Sequence, residues 1–218
     1  MYSKEVIDKF RRFATASICD ACDQVVKNQR CYMDYTMTSR VAGKKIVGPA
    51  ITVLEGKSEV VGAPSHAIDA IEEAKGGEVI VISLKEKDLN AALWGGLMTA
   101  GAVEKKLEGA VLNCGVRDIV EIKRDFGFEV YSNSVVPVTT VGRYVTLDKN
   151  VPVECAGVTV EPGDLIVGDL DGVVCIPKAY VEEVMKIAED IEKKEAQQTI
   201  HIKKTGSLKE GLSKFNRI

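Results

Sequence analysis

The residues of this chain best suited to chemistry lie in two short segments, residues 94–97 (WGGL) and residues 113–118 (NCGVRD). Gly95 and Gly96 come at the start of a predicted helix, where free backbone N–H groups and the helix dipole attract an anion. Arg117 adds a planar fork of donors that matches a carboxylate. Together these groups predict a site for a carboxylate ligand.

Two acidic side chains accompany this arginine. Asp118 and Glu121 are three residues apart at the start of another predicted helix, so both carboxylates can face the same way. Mg²⁺ is commonly bound through one or two such carboxylates together with substrate oxygens. Anion-binding amides, one arginine and two cation-binding carboxylates suit a 2-oxo acid chelated to a metal ion.

The same residues also have simpler interpretations, which the spacing taken alone favours. Asp118 can be a plain helix cap, and Arg117 can belong to a surface ion pair. Gly95 and Gly96 can serve only to let a helix pack closely. Spacing leaves the chemical and the structural interpretations both open.

A regular alternation of helix and strand patterns surrounds these segments. This alternation predicts βα units and a parallel sheet at the centre of the fold. Ligands gather beyond the carboxyl ends of parallel strands, which is where residues 113–115 are expected. The predicted helices cover residues 65–75, 91–106 and 118–125, and the predicted strands cover residues 78–84, 110–113 and 128–132.

The two ends of the chain differ from this centre. Ser3 is expected to cap a first helix, and Thr15 or Ser17 a second helix that runs to Val26. A strand is predicted over residues 45–54. Short strands with turns between them follow residue 135 and predict antiparallel or mixed pairing. We therefore expect a single α/β domain over residues 1–218, with a helical extension at about 178–218.

Composition excludes several classes of protein. The chain has 218 residues with 29 Lys and Arg against 32 Asp and Glu, so the formal net charge is −3. A hydrophobic fraction of 45% is enough for a buried core and argues against disorder. The slight acidity argues against a nucleic-acid surface, and no apolar run approaches the length of a membrane span. The amino terminus lacks the apolar stretch of a signal peptide, so we expect a cytoplasmic protein.

Several segments, in the same order, resemble the RraA-like family, which includes the 4-hydroxy-4-methyl-2-oxoglutarate aldolases. The resemblance extends from about Ala14 to Pro177. It implies an α/β fold with a swivelling-type β/β/α core, parallel and antiparallel strands and helical ends, assembled as a homotrimer or as a hexamer of paired trimers. The matching segments are residues 48–53 (GPAITV), 94–97 (WGGL), 115–118 (GVRD), 127–130 (GFEV) and 163–177, the last containing Gly163-Asp164 and Asp169-x-Asp171-Gly172.

The resemblance also implies an activity and a set of site residues. The implied enzyme is a class II pyruvate aldolase that cleaves 4-hydroxy-2-oxo diacids and decarboxylates oxaloacetate, both through a metal-stabilised pyruvate enolate. The implied cofactor is a divalent cation, Mg²⁺ first and Mn²⁺ as the alternative. Arg117 and Asp118 match the catalytic pair, and the loop whose backbone amides meet the pyruvyl carboxylate corresponds to Gly95, Gly96, Leu97 and Met98.

One position departs from the usual pattern of the family, which is an Asp, twenty residues and then Arg-Asp. Here the first position is Gly96. A variant of the family has Gly there and adds an acidic residue three positions after the final Asp, and the sequence Gly96-x20-Arg117-Asp118-x2-Glu121 fits it in full. Glu121 is therefore the candidate for the displaced carboxylate, with Asp118 and Glu121 as metal ligands.

A second hypothesis comes from the same resemblance. Some members resemble inhibitors of ribonuclease E and act by binding a protein partner rather than by catalysis. The absence of a carboxylate at Gly96 is the feature that favours this non-catalytic regulator.

Overall fold

The computed structural model describes residues 2–86 and 88–217. Within them, helices and strands alternate along the first two thirds of the chain, short strands follow, and long helices close it. The helices are α1 (Lys4–Arg12), α2 (Thr15–Val25), α3 (Ser65–Glu72), α4 (Gly96–Glu104), α5 (Ile119–Glu121), α6 (Val181–Thr205) and α7 (Leu208–Phe215). The strands are β1 (Thr38–Ser39), β2 (Ile46–Lys57), β3 (Val79–Leu84), β4 (Ala92–Trp94), β5 (Gly109–Val116), β6 (Val130–Val135), β7 (Tyr144–Lys149), β8 (Val153–Cys155), β9 (Val158–Val160), β10 (Leu165–Asp169) and β11 (Gly172–Ile176).

Nine of these strands form one mixed sheet. Its order is β1-β6-β5-β3-β2-β10-β11, with β4 added beside β5 and β7 beside β2. The pairs β2–β3, β3–β5, β4–β5 and β5–β6 are parallel, whereas β1, β7, β10 and β11 pair antiparallel. This confirms the predicted α/β fold with both kinds of strand and a helical carboxyl end.

The parallel centre of the sheet is buried on both faces. All six residues of β3 are buried, as expected for a continuous run of Val, Ile and Leu in a parallel sheet. One face packs against α3 and α4 through a core that includes Ile80, Leu112 and Ala102. The other face packs against the hairpin β8–β9. Helices α1, α2 and α6 pack at the β10–β11 end.

The predicted helix over residues 91–106 is wrong in its first part. Residues Ala92–Trp94 form the buried strand β4, and the helix begins only at Gly96. Ala, Leu and Trp are compatible with a helix, but pairing with β5 gives this segment its backbone partners. Gly95 then has an extended backbone (φ −158°, ψ −170°), which separates the strand from the helix.

Two other local predictions need correction. The segment after Asp118 forms only one turn of α-helix, α5, followed by a π-helical turn at Ile122–Phe126 that ends at Gly127. Neither Thr15 nor Ser17 caps α2, because its N-cap position is Ala14. The carboxylate of Asp169 accepts the Thr15 N–H instead (3.3 Å), so the cap comes from the distant strand β10. Ser3 does cap α1, accepting the Val6 N–H at 3.3 Å.

The carboxyl end of the chain is helical, as predicted. A 3₁₀ turn (Lys178–Tyr180) leads into the 25-residue helix α6, which ends at Gly206 in the left-handed conformation (φ +70°). Ser207 then caps α7, accepting the Glu210 N–H at 3.1 Å. In the described part of the chain, none of the helices combines the length and the apolar character needed to cross a membrane.

Candidate active site

Two neighbouring strands bring the glycine pair and the Arg-Asp pair together. Strands β4 and β5 are parallel, and their last residues, Trp94 and Val116, are partners across the ladder. The next residues, Gly95 and Arg117, therefore leave the sheet side by side. The Arg117 N–H donates to the Trp94 carbonyl at 3.0 Å, which fixes the two segments to each other.

Gly95 is required by this close approach. A Cβ atom at position 95 would lie 2.6 Å from Asp118 Oδ2 and 3.2 Å from Arg117 Cγ and Nε. A carbon–oxygen distance of 2.6 Å is well inside van der Waals contact, so a side chain at position 95 would displace the Asp118 carboxylate from its present position. At Gly96 the same construction gives 3.6 Å to Asp118 Oδ2, which is an ordinary contact. The placement of the Asp118 carboxylate therefore requires glycine at position 95 but not at position 96.

Asp118 has an unusual backbone and an unusual bond. It lies in the left-handed region (φ +60°, ψ +30°), which Asp tolerates better than most residues. Although it occupies the N-cap position of α5, its side chain caps nothing on that helix. Its Oδ2 accepts the Gly96 N–H at 2.9 Å instead. The plain-cap interpretation is therefore wrong: this carboxylate is directed at the amino terminus of α4.

Arg117 forms the expected ion pair but remains accessible. Its Nε lies 3.7 Å from Asp118 Oδ2, and the two side chains are 41% and 40% exposed. Ion pairs this exposed contribute less than about 1 kcal/mol to folding stability. The guanidinium therefore keeps donors free for a ligand.

The first turn of α4 presents free backbone donors beside this arginine. The Gly96 N–H is taken by Asp118, and the Thr99 N–H donates to the Gly95 carbonyl at 3.1 Å. Among residues 2–86 and 88–217, the N–H groups of Leu97 and Met98 have no acceptor. The Leu97 side chain is 92% exposed, so this residue contributes to the site through its backbone. Free amides at a helix amino terminus bind anions.

Trp94 supports the glycine loop from the core. Its side chain is 1% exposed and stacks on Phe128, with ring centroids 6.0 Å apart and an interplanar angle of 12°. Its Nε1–H donates to Thr99 Oγ1 at 2.7 Å, and that hydroxyl donates to the Gly95 carbonyl at 3.0 Å. This buried chain of hydrogen bonds holds the loop in the conformation that exposes its amides.

All of these groups open onto one cavity of about 510 Å³. Of the residues predicted for the site, Gly95, Gly96, Leu97, Met98, Arg117 and Asp118 all line it. Sequence reasoning missed the opposite walls, which come from α3 and from the loop between β6 and β7. The spacing of Pro64, Ile68 and Ile71 on one helical face was the only signal for the first wall. The missed residues are Pro64, Ile68, Ile71 and Glu72 from the α3 region, and Thr139, Thr140 and Val141 from the loop.

The structure places Glu121 apart from this lining. It lies in the single turn of α5, exposed to solvent, and its negative charge helps to raise the pKa of Arg124. Asp118 Oδ1 has no hydrogen-bond partner among the described residues, so this oxygen is free for a cation. In the described part of the chain no three His, Cys, Asp or Glu side chains form a metal-binding group. Fewer than three such side chains would hold a metal ion here, which fits Mg²⁺ or Mn²⁺ with water and substrate oxygens rather than structural zinc.

Two titratable groups lie behind the cavity, in the core. Burial raises the pKa of the Cys114 thiol, whose Sγ donates to the Ala91 carbonyl at 2.8 Å. Cys114 is therefore a core residue that does not line the cavity. Burial also raises the pKa of Glu55 to about 7. The Glu55 side chain is 1% exposed, and its Oε1 has no partner among the described residues.

Comparisons with known proteins identify the family of this chain. The sequence profile of the RraA-like (Aldolase/RraA) family matches residues 15–175. A protein of Halalkalibacterium halodurans, provisionally named as a 4-hydroxy-4-methyl-2-oxoglutarate aldolase, is 32% identical over 189 residues, covering 84% of this chain and 82% of its own.

Solved structures have the same fold. An uncharacterised protein from Pseudomonas syringae superposes with a TM-score of 0.86 at 26% identity, covering 98% of this chain and 95% of its own. A second solved structure is of a Streptomyces coelicolor protein, described as an unusual member of the RNase ES inhibitor RraA family. It superposes with a TM-score of 0.80 at 23% identity, covering 91% of this chain and 97% of its own. The second likeness shows the fold alone. With the profile match spanning most of the sequence, the chain belongs to the RraA-like family.

Proposed function

We propose that this chain is a divalent-metal-dependent class II pyruvate aldolase. It cleaves 4-hydroxy-2-oxo diacids of the 4-hydroxy-4-methyl-2-oxoglutarate type to pyruvate, and it decarboxylates oxaloacetate. The observation that carries this proposal is the convergence of the free α4 amides, Arg117 and Asp118 on one cavity. The name of the Halalkalibacterium relative supports the same activity.

The chain's own groups fit the pyruvyl half of such substrates. The N–H groups of Leu97 and Met98 offer two donors to the carboxylate, and the guanidinium of Arg117 offers a charged fork nearby. Hydrogen bonds to an ionised acceptor are about twice as strong as neutral ones. The dipole of α4 adds a favourable field at the same point. The carboxylate is thereby oriented with the keto group next to Arg117.

Both proposed reactions leave the same charge to be stabilised. When the bond to the departing aldehyde, ketone or carbon dioxide breaks, its electron pair moves onto the pyruvyl keto oxygen as an enolate. The guanidinium of Arg117 stabilises this developing negative charge, and the hydrogen bond from the Arg117 N–H to the Trp94 carbonyl fixes the position of the residue. Donors that are fixed before the reaction stabilise the transition state more than the ground state.

A cation would complete the balance of charge at this site. The substrate carboxylate and Asp118 are both negative, and Arg117 supplies one positive charge next to them. A bound Mg²⁺ or Mn²⁺ supplies a Lewis acid that polarises the keto oxygen. Asp118 would hold it through its free Oδ1, whereas Glu121, the second carboxylate that the variant motif implies, lies outside the lining of the cavity.

Pyruvate release from oxaloacetate, coupled to lactate dehydrogenase, tests this proposal. Arg117→Ala is expected to lower kcat about 10²- to 10³-fold, the typical loss of one donor that acts on transition-state charge. Arg124→Ala is the matched control, because Arg124 lies in the following turn, is paired with Asp125 (2.6 Å) and does not line the cavity. Equal activity in both variants would overturn the role of Arg117.

A second candidate function rests on Gly96, which carries no carboxylate where most of the family has one. In this alternative the chain is a non-catalytic regulator that binds a ribonuclease E-type protein. Inhibition of such a ribonuclease by a protein that releases no pyruvate would favour it. We also propose a homotrimer or a hexamer, which light scattering coupled to gel filtration would distinguish.

A further inference from the structure

The candidate cavity extends well beyond the carboxylate site, along a groove between α3 and α4. The two helices run side by side in the same direction. The cavity is lined both by residues at their amino-terminal ends, Pro64 and Gly96, and by residues further along the two helices, Glu72 and Gly101. A Cβ on Gly101 would lie 3.4 Å from Ile71 Cγ2, so the helices are closely packed there. Lys105 Nζ bonds the Glu72 carbonyl at 2.6 Å and ties their carboxyl ends together.

The walls of this groove are mainly apolar. The apolar residues that line it include Ile68 and Ile71 of α3, Met98 of α4, and Val141 of the loop between β6 and β7. Cavities of about 300–1,000 Å³ hold ligands of drug size, so about 510 Å³ leaves room for much more than a pyruvyl group. The part of the substrate beyond the reacting carbons must therefore lie against hydrocarbon.

The charges of the groove distinguish between substrates. The charged residues that line it are Arg117, Asp118 and Glu72, one cation against two carboxylates. Arg117 and the free amides of α4 lie at one end and suit a single carboxylate. A second carboxylate reaching towards the other end would meet Glu72 and the apolar walls. Lys105 does not line the cavity, and its ammonium group is engaged by the Glu72 carbonyl.

We infer that the preferred substrate is a 4-hydroxy-2-oxo monocarboxylic acid with a hydrocarbon tail, which lies in the α3–α4 groove. The inference rests on the proposed function and refines its substrate class, because the resemblance to the family implies diacids. Aldol cleavage of such a substrate releases pyruvate from the carboxylate end. The 4-hydroxyl gives its proton to water as the bond between the third and fourth carbons breaks, and an aliphatic aldehyde leaves from the groove. The electron pair of that bond forms the enolate, which takes a proton from water at the third carbon and becomes pyruvate.

Calorimetric binding of 2-oxo acids in the presence of Mg²⁺ tests the groove without requiring turnover. Pyruvate, 2-oxooctanoate and 2-oxoglutarate share the carboxylate and keto groups and differ in the tail. Burying a methylene half-way lowers Kd about two-fold, so 2-oxooctanoate is expected to bind about 30-fold more tightly than pyruvate. 2-Oxoglutarate is expected to bind no more tightly than pyruvate.

Two variants identify the groove as the place where the tail binds. Ile68→Ser lies on the open side of the groove, at a residue already 38% exposed, and is expected to remove at least two-thirds of the gain from the tail. Ile200→Ser is the matched control, since Ile200 is 69% exposed on α6 and outside the cavity.

Glu72→Gln is expected to strengthen the binding of 2-oxoglutarate about three-fold or more, whereas Glu104→Gln on α4 leaves it unchanged.

The outcomes separate the two proposals. Tight binding of 2-oxooctanoate that Ile68→Ser weakens and Ile200→Ser does not would support the groove. If pyruvate binds but the long tail adds nothing, or if 2-oxoglutarate binds best, the inference is overturned and the proposed function stands. If none of the three acids binds with Mg²⁺ present, both are overturned.

Discussion

The ionisation of Glu55 provides a quantitative test of how the core behind the site is built. This carboxyl group lies in β2 between Leu84 of β3 and Thr146 of β7. It is 1% exposed, and its Oε1 has no hydrogen-bond partner in the described part of the chain. Thr146 Oγ1 accepts the His66 N–H at the start of α3 (3.1 Å), so this region also supports one wall of the cavity. We expect Glu55 to be a major source of pH-dependent stability.

The sign and size of this pH dependence follow from the pKa values of Glu55 in the folded and unfolded chain. Burial raises the pKa of Glu55 from 4.5 to about 7. The folded protein therefore keeps a proton that the unfolded chain releases, and stability falls as the pH rises from about 4.5 to 7. A shift of one pKa unit corresponds to 1.36 kcal/mol, so the loss is about 3 kcal/mol. Below pH 4.5 the contribution is fully present, and above pH 7 it is lost.

Urea unfolding of the wild type and of Glu55→Gln at pH 5 and pH 8 measures this effect. Gln has the shape of the protonated acid and cannot ionise, so the two proteins should be similar at pH 5. At pH 8 the variant should be more stable by about 3 kcal/mol. The difference in unfolding free energy between the two proteins cancels the pH dependence that all other groups contribute. Glu104→Gln, on the surface, controls for the loss of a charge. A difference that stays the same at both pH values would refute the buried, protonated state.

Two further predictions concern the glycine loop. Gly95→Ala places a Cβ 2.6 Å from Asp118 Oδ2, so we expect a loss of about 1–3 kcal/mol in unfolding free energy and more than ten-fold lower activity. At position 96 a Cβ would lie 3.6 Å from the same oxygen, so Gly96→Ala should keep both the stability and the activity. Equal effects of the two changes in denaturation and pyruvate assays would contradict the geometry. Thr99→Val removes the acceptor of the buried Trp94 Nε1–H and should cost about 1–3 kcal/mol in thermal unfolding, whereas Thr99→Ser restores the hydroxyl and the stability.

The buried parallel strands are the part of the fold that local sequence predicts best. A strand buried on both faces is a continuous apolar run, so residues 78–84 predict β3 almost to the residue. Strand β4 is only three residues long and has no such pattern. Its conformation comes from pairing with β5, a contact between residues more than twenty positions apart. A prediction from local sequence therefore extends the following helix through it.

The candidate site, too, is predictable from local sequence only in part. The segments that contain Gly95 and Arg117 are predictable, because glycine pairs and Arg-Asp pairs at helix starts have direct chemical uses. The bond from the Gly96 N–H to Asp118 is not predictable, because it depends on a left-handed backbone at Asp118. The groove depends on α3, which the sequence separates from the Arg-Asp pair by more than forty residues. The spacing of Ile68 on its helix predicts an apolar face but does not indicate that this face borders a ligand cavity.

The most direct test of the account is the release of pyruvate from oxaloacetate by the purified wild-type protein, measured with Mg²⁺ and again with excess chelator. We expect turnover that requires the cation, that returns when Mg²⁺ or Mn²⁺ is restored, and that is lost in Asp118→Asn. Undiminished turnover with chelator would contradict the role of Asp118 as a metal ligand. Failure to release pyruvate from oxaloacetate and from 4-hydroxy-2-oxo acids under all of these conditions would contradict the proposed function itself.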